Sequence, residues 1–330
     1  MEDAIDVLGK FSTKVDVTDH KQMERVISSC LGTKFVNSWG PLMCNIAIDA
    51  VRIVSLKIAE GAPLEIDLKK YARIEKIPGG DVTDARVIRG VVLNKDVTHS
   101  QMRRRIENPR VVLLDCNLEY KKGESQTNVE CSTPEDFAKL LKAEEEEIAR
   151  MCTEILRVKP DVVCTEKGVS DYAQHCLLAG GVSALRRLRK TDNNRLARVS
   201  GATIAHRPEE LQEADVGTGC ALFEVSKIGD EYFTFMTAKP DFPSHACTIL
   251  IRGPNKDVMN EVERNLWDAM YVARNITADP RLVPGGGASE MAVSQALMAR
   301  SKSIEGSRQL AYRSVALALE VIPRTLAQNC

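Results

Sequence analysis

The apolar positions of this chain follow two periods, and the places where the period changes mark out its organisation. Through about the first 58 residues they recur at three-to-four spacing, at Ile5, Leu8 and Phe11 and then at Met23, Val26, Ile27 and Cys30, which predicts helices. A helix over 47–54 continues this layer, and the loop chemistry of Gly61-Ala62-Pro63 closes it. Residues 71–77 alternate apolar with polar and run into Pro78-Gly79-Gly80, the pattern of a strand and its turn. Between 87 and 251 short apolar runs alternate with helical stretches. Strands are predicted over 111–116, 161–165 and 182–188. A long helix starts in the polar cluster at 132–136 and runs through Leu156; others span 170–179, ended by Gly180-Gly181, and 192–200, stopped by Gly201. Strands at 221–225, 232–236 and 247–251 complete this section. Beyond Gly253-Pro254 the helical period returns at Val258, Val262, Leu266, Ala269, Ala273 and Ile276, and helices continue to the end.

An α/β section bracketed by helical material is the layout of an inserted domain, because the flanking segments must meet to bury their apolar stripes. Composition fits a globular protein: 330 residues, 44% apolar and 28% charged. The formal charge of −1 gives no overall attraction to nucleic acid or anionic membrane. Ten scattered cysteines form no CxxC pair, and several sit in apolar runs, so they read as small buried hydrophobes in a reducing compartment, by default the cytoplasm. No stretch approaches the ~20 apolar residues of a membrane helix, and the N-terminus has no signal-peptide pattern.

The candidate chemistry centres on Asp279-Pro280-Arg281-Leu282-Val283-Pro284-Gly285-Gly286-Gly287-Ala288-Ser289-Glu290. Three successive glycines let the backbone take positive φ and approach a ligand, and a helix opening near Ala288 adds a dipole that favours anions. Taken alone, the run reads more simply as a flexible hinge or a helix-to-helix turn, because an isolated glycine cluster is a weak motif. Asp268, on the preceding helix, reads either as a surface carboxylate paired with Arg264 or as one that orients a water. The basic stretch 184–190 with Arg195 and Arg198 lacks interleaved aromatics, so it reads as a solvated face rather than a nucleic-acid site. Glu144-Glu145-Glu146-Glu147 reads as a solvated section of a helix projecting from the body. On the 170–179 helix Ala173, Cys176, Leu177 and Gly180 face inward, leaving Asp171, His175 and Leu178 outward. His20, His99, His206 and His245 have no partners at metal or triad spacing. There is no GxxxxGK[ST] or GxGxxG loop.

Taken in order, six stretches resemble the cytosolic group II chaperonins: YARIEKIPGG at 71–80, NPRVVLLDCNLEYKK at 108–122, VVCTEKGVSDYAQ at 162–174, ALRRLRK at 184–190, ERNLWDAM at 263–270 and LVPGGGASE at 282–290. GESQTN at 123–128, KTDNNRLAR at 190–198 and IGDEYFTF at 228–235 point to the gamma-type branch of that family. The resemblance covers essentially the whole chain. It implies a chaperonin subunit of α/β and α class, with an α/β apical substrate-binding domain (90–246, a helical protrusion near 120–157) inserted between helical intermediate segments (17–89 and 247–278) and partial equatorial segments (1–16 and 279–330). It further implies ATP with Mg²⁺ as cofactors, Asp268 positioning the attacking water, Gly286 contacting nucleotide, and Thr33 and Lys34 sensing the γ-phosphate. Asp171, His175 and Leu178 are implied to face unfolded client proteins, which for the family include actin and tubulin, and the implied partners are paralogous subunits in a double ring, with no nucleic acid and no membrane.

One departure stands out. The family's Gly-Asp-Gly-Thr loop, whose aspartate holds Mg²⁺, has no counterpart among these residues, and neither does the segment closing over the base. The chain is therefore expected to be truncated at both ends and unable to hydrolyse ATP unaided; a non-cycling client-binding fragment is the alternative.

Overall fold

The computed structural model describes residues 2–56, 64–120 and 134–330. Gly61-Ala62-Pro63, the Ser132-Thr133 start of the long helix, the GESQTN stretch and the adjoining part of the expected protrusion lie outside the described residues.

In chain order, α1 (Glu2–Phe11), the short strand β1 (Thr13–Lys14), α2 (His20–Leu31) and α3 (Gly40–Val54) come first. Next, α4 (Leu68–Tyr71) leads into β2 (Ala72–Pro78), β3 (Arg86–Ile88), β4 (Gly90–Leu93), β5 (Arg105–Glu107) and β6 (Val111–Leu114). Helix and strand then alternate through α5 (Pro134–Arg157), β7 (Val162–Thr165), α6 (Asp171–Ala179), β8 (Ser183–Leu185), α7 (Lys190–Ser200) and β9 (Ile204–Ala205). After these come β10 (Cys220–Ile228), β11 (Glu231–Ala238), β12 (Cys247–Gly253) and α8 (Lys256–Ala278). The chain finishes with β13 (Arg281–Leu282), α9 (Ala288–Ser301), α10 (Arg308–Leu319) and α11 (Val321–Asn329). It forms two compact units, one of Met1–Ser29 with Tyr271–Cys330 and one of Cys30–Met270.

In the first unit the two ends of the chain meet. Val293, Leu297 and Ala316 form a small core, against which Val7 and Leu8 of α1 and Tyr312, Val315 and Leu319 of α10 pack. Asp3 ties the ends together, accepting from Tyr312 Oη and pairing with Arg300 at 2.9 Å, while β1 and β13 pair antiparallel through Thr13–Leu282 and Lys14–Arg281. Of the α1 stripe read from sequence, only Leu8 packs here; Ile5 and Phe11 stand 65% and 50% exposed.

The second unit holds three sheets. The strands β8-β7-β6-β9 form a parallel sheet, with the helices of the 134–200 section as crossovers. Its central runs, Val111–Leu114 and Val162–Thr165, are buried throughout, as parallel strands covered on both faces must be. The strands β4-β11-β10-β5 form an antiparallel sheet around a hairpin turned at Gly229, whose φ of +66° suits glycine. In the third sheet, β2-β12-β3, the strand β12 runs parallel to β2, so β2 is an edge.

Two expectations are corrected. The strand read over 182–188 is only Ser183–Leu185, because Arg187 adopts a left-handed conformation (φ +54°) and turns the chain off the sheet before Leu188 re-enters the core. Arg195 is not part of a solvated basic face: it is 1% exposed and bonded to Asp192. The glutamate run behaves as read. In α5 the first half is exposed, Phe137 (54%) and Leu141 (45%) included, and burial begins at Ile148, Cys152 and Ile155. Among the described residues no helix is long and apolar enough to cross a membrane.

Candidate functional site

In the 30–270 unit, Lys34 and Asp268 form an ion pair across 234 positions of sequence. Two local features produce it. After α2 the chain turns through Gly32-Thr33, with Lys34 N–H donating to the Leu31 carbonyl at 2.9 Å. Lys34 then caps a 3-10 turn, Phe35–Trp39, in extended conformation, and Thr33 is exposed. On α8 the apolar face Val262, Leu266 and Ala269 is fully buried, which leaves Asp268 half-exposed on the neighbouring face.

The surface pairing of Asp268 with Arg264 is not formed. Arg264 turns back one helical turn to Glu261, whose second oxygen accepts from Asn265 Nδ2 at 3.1 Å. Arg264 first, and more weakly Asn265 and Lys34, hold the Glu261 carboxyl below its ordinary range. With Arg264 so engaged, Lys34 is the cation on Asp268. Sequence reading missed the part played by Glu261, although its three-residue spacing from Arg264 was a usable signal.

The glycine run, in the other unit, assigns its residues different tasks. Gly286 and Gly287 both lie in the left-handed region (φ +69° and +82°). A Cβ on Gly287 would sit 2.9 Å from Pro323 Cβ, so α11 requires glycine there, whereas a Cβ on Gly285 or Gly286 would meet nothing within 4 Å. Gly287 starts α9 without a side-chain cap, and the Ser289 hydroxyl donates back to the Pro284 carbonyl. Exposed backbone at Gly285 and Gly286 thus lies beside a helix N-terminus, an arrangement able to receive an anionic group. Nearby, a bidentate contact from Arg281 holds the Asp279 carboxyl below its usual range.

On α6, Ser170 caps the helix by accepting from Ala173 N–H at 3.2 Å, and Asp171 and His175 are exposed. Leu178 departs from the outward position read for it, being half-buried against the core. Tyr172, 41% exposed, and His99, whose ring centroid lies 6.1 Å from that of His175, belong to this surface and were passed over in the sequence. His206, without a partner at short sequence spacing, meets Asp115 at 2.5 Å. Among the described residues no three His, Cys, Asp or Glu side chains converge to hold a metal.

Comparison with known proteins bears on the whole chain. Residues 1–330 match the model of the TCP-1/cpn60 chaperonin family. The chain is 58% identical over all 330 residues to T-complex protein 1 subunit gamma of Dictyostelium discoideum, covering 62% of that protein, and 58% identical to its Homo sapiens counterpart, covering 60%. The chain thus spans about three-fifths of the length of these curated relatives. A solved structure, the open-state monomer of a group II chaperonin from Methanococcoides burtonii, superposes with a TM-score of 0.78 at 28% identity, over 99% of this chain and 74% of that one.

Proposed function

The chain belongs to the TCP-1/cpn60 chaperonin family, and from that premise we propose that it is a subunit of an ATP-driven cytosolic ring that binds unfolded proteins and folds them as the ring closes. The observation that carries this reading is the Lys34–Asp268 ion pair. Phosphoryl transfer to water needs a positioned nucleophile and neutralised γ-phosphate charge more than covalent help. A lysine and a carboxylate already in contact supply both functions from one place. A γ-phosphate competes with Asp268 for the Lys34 ammonium, and Asp268, once released, is free to accept a hydrogen bond from the attacking water. The nucleotide state thereby reaches α8 through the loss of one salt bridge. Thr33, exposed beside Lys34, is assigned to the same sensing segment, and the open backbone at Gly286 to nucleotide contact.

In this reading residues 90–246 are the apical domain, and the exposed half of α5 is part of its protrusion. Asp171 and His175 contact clients, with Leu178 supporting from below. Paralogous subunits complete the ring, actin and tubulin are the client class, and Mg²⁺ accompanies ATP. Its ligands are not assigned to this chain, which contains no Gly-Asp-Gly-Thr stretch. The exposed Asp171 and His175 on α6 and the exposed first half of α5 also fit a second reading, a client-binding subunit that does not cycle.

Both readings can be tested by mixing the full chain with paralogous subunits, isolating assemblies by size and measuring phosphate release. Incorporation into rings is expected, together with a loss of this subunit's share of phosphate release in Asp268→Asn rings, its own site slowing about 100-fold while those of its paralogous neighbours continue. A chain that stays outside rings yet retains denatured actin supports the second reading. Rings in which Asp268→Asn hydrolyses ATP at the unmodified rate would overturn the role given to Asp268.

A further inference from the structure

A cavity of about 500 Å³ opens in the 30–270 unit beside the edge strand β2, lined also by the first turns of α7 and one face of α8. Arg195 lines it. This side chain is 2% exposed and donates through Nη2 to Asp192, yet its Nη1 is buried with no hydrogen-bond partner among the described residues. Native structures rarely leave a buried charged donor in that condition without a ligand or water to receive it.

Two further features point the same way. Thr191, at the start of the eleven-residue helix α7, lines the cavity; the Asp192 and Asn193 amides donate to the Arg189 carbonyl at 2.9 and 3.0 Å, and Arg189 supplies no side-chain cap, which leaves the Lys190 and Thr191 amides to receive an acceptor. Charge is also unbalanced. Arg73 is engaged by Glu75 and reaches Asp192 at 3.5 Å, Lys76 pairs with Glu263 at 2.7 Å, and Lys70 pairs with Asp67 at 3.1 Å. Among the residues that line the cavity, five cations (Lys69, Lys70, Arg73, Lys76, Arg195) face two carboxylates (Glu75, Glu263). The volume lies within the usual range for a small-molecule site, about 300–1,000 Å³.

We propose that this cavity is a binding site for a small phosphate-bearing anion, received by Arg195 Nη1 and the amides of Lys190 and Thr191 at the start of α7, with the exposed Lys69 and Lys70 supplying further charge. The site is separate from Lys34 and Asp268 and does not depend on their assignment. Lysine cannot replace arginine fully here, because it lacks the planar fork that would hold Asp192 and the anion together.

Trp267 lines the cavity and reports on it, since Trp39→Phe leaves it the only tryptophan. Inorganic pyrophosphate is titrated into the full Trp39→Phe chain at constant ionic strength while Trp267 emission is followed, with chloride as the control salt. Saturable binding is expected. Affinity should fall about tenfold in Arg195→Lys and about threefold in Lys69→Gln/Lys70→Gln, and should be unchanged in Lys142→Gln, an exposed lysine on α5. Circular dichroism checks the fold of each variant. If Arg195→Lys fails to fold, the exposed lysine pair decides alone. No saturable response, equal affinity in the lysine double variant, or an equal loss in Lys142→Gln would each overturn the proposal.

Discussion

Replacing Gly287 and Gly286 in turn by alanine separates the structural from the ligand-facing role of the glycine run. Both residues are left-handed, so either alanine carries the conformational penalty of about 1–2 kcal/mol. Only at Gly287 does the new methyl meet something: Pro323 Cβ at 2.9 Å, Cα at 3.0 Å and N at 3.3 Å. A proline ring inside α11 cannot rotate away, so overpacking adds about 1–3 kcal/mol. Gly286→Ala is thus expected to cost about 1–2 kcal/mol and Gly287→Ala about 2–5 kcal/mol. Both tryptophans, Trp39 and Trp267, lie in the 30–270 unit, so their fluorescence does not read this region directly. Hydrogen exchange of the amides of α9 and α11 does. Protection should fall roughly five- to thirtyfold in Gly286→Ala and by thirtyfold or more in Gly287→Ala. Equal losses in the two variants would refute the reasoning, since they would mean that the Pro323 contact plays no part. Under the proposed function the order reverses for nucleotide affinity per unit of lost stability, because the Gly286 methyl projects into the open space beside the exposed backbone.

Three other outcomes follow from the structure. Arg195→Met leaves the buried Asp192 carboxylate, among the described residues, with only Arg73 at 3.5 Å as a cation and should lower stability by about 3–5 kcal/mol in denaturant unfolding, whereas Arg186→Met at an exposed position should change it by less than about 0.5 kcal/mol. Burial pushes the thiol of Cys116 up from 9.0 to about 11 and those of Cys152, Cys220 and Cys247 to about 12. The unfolded chain therefore releases these protons first, and the stability they contribute, fully present below pH 9, should decline as pH rises towards about 12, visible as a falling thermal midpoint. Phe137→Ser with Leu141→Ser, both on the exposed half of α5, should change stability by no more than about 0.5 kcal/mol in denaturant unfolding and, under the proposed function, reduce retention of denatured client; a large loss of stability would show that this half of α5 is packed.

Much of the local structure was legible because local rules decide it. The stops of α6 and α7 stood in the sequence as Gly180-Gly181 and Gly201, the last taking the left-handed conformation that ends a helix. The apolar runs of β6 and β7 could hardly lie anywhere but in a covered sheet. The strand read over 182–188 was overextended for an equally local reason. Apolar Leu188 continues the pattern, but the positive φ that removes Arg187 from the sheet leaves no mark in an arginine.

By itself the sequence determined the periods, the breaks between them, the family, and the suspicion attached to Asp268 and the glycine run. Tertiary structure decided which charges meet. Asp268 had an apparent partner in Arg264 four residues away, yet Arg264 went to Glu261 and Asp268 to Lys34. Arg195 looked like one more cation in a basic stretch, yet it is buried beside Asp192. Gly286 and Gly287 looked alike until Pro323 was placed against one of them. Helix and strand periods are written by neighbours a few residues apart, so a linear pattern carries them. The Arg264–Glu261 and Arg195–Asp192 pairs follow helical spacing, but the Lys34–Asp268 pair, 234 positions apart, and the approach of Pro323 to Gly287 depend on how whole elements pack, and no spacing rule in the chain encodes that.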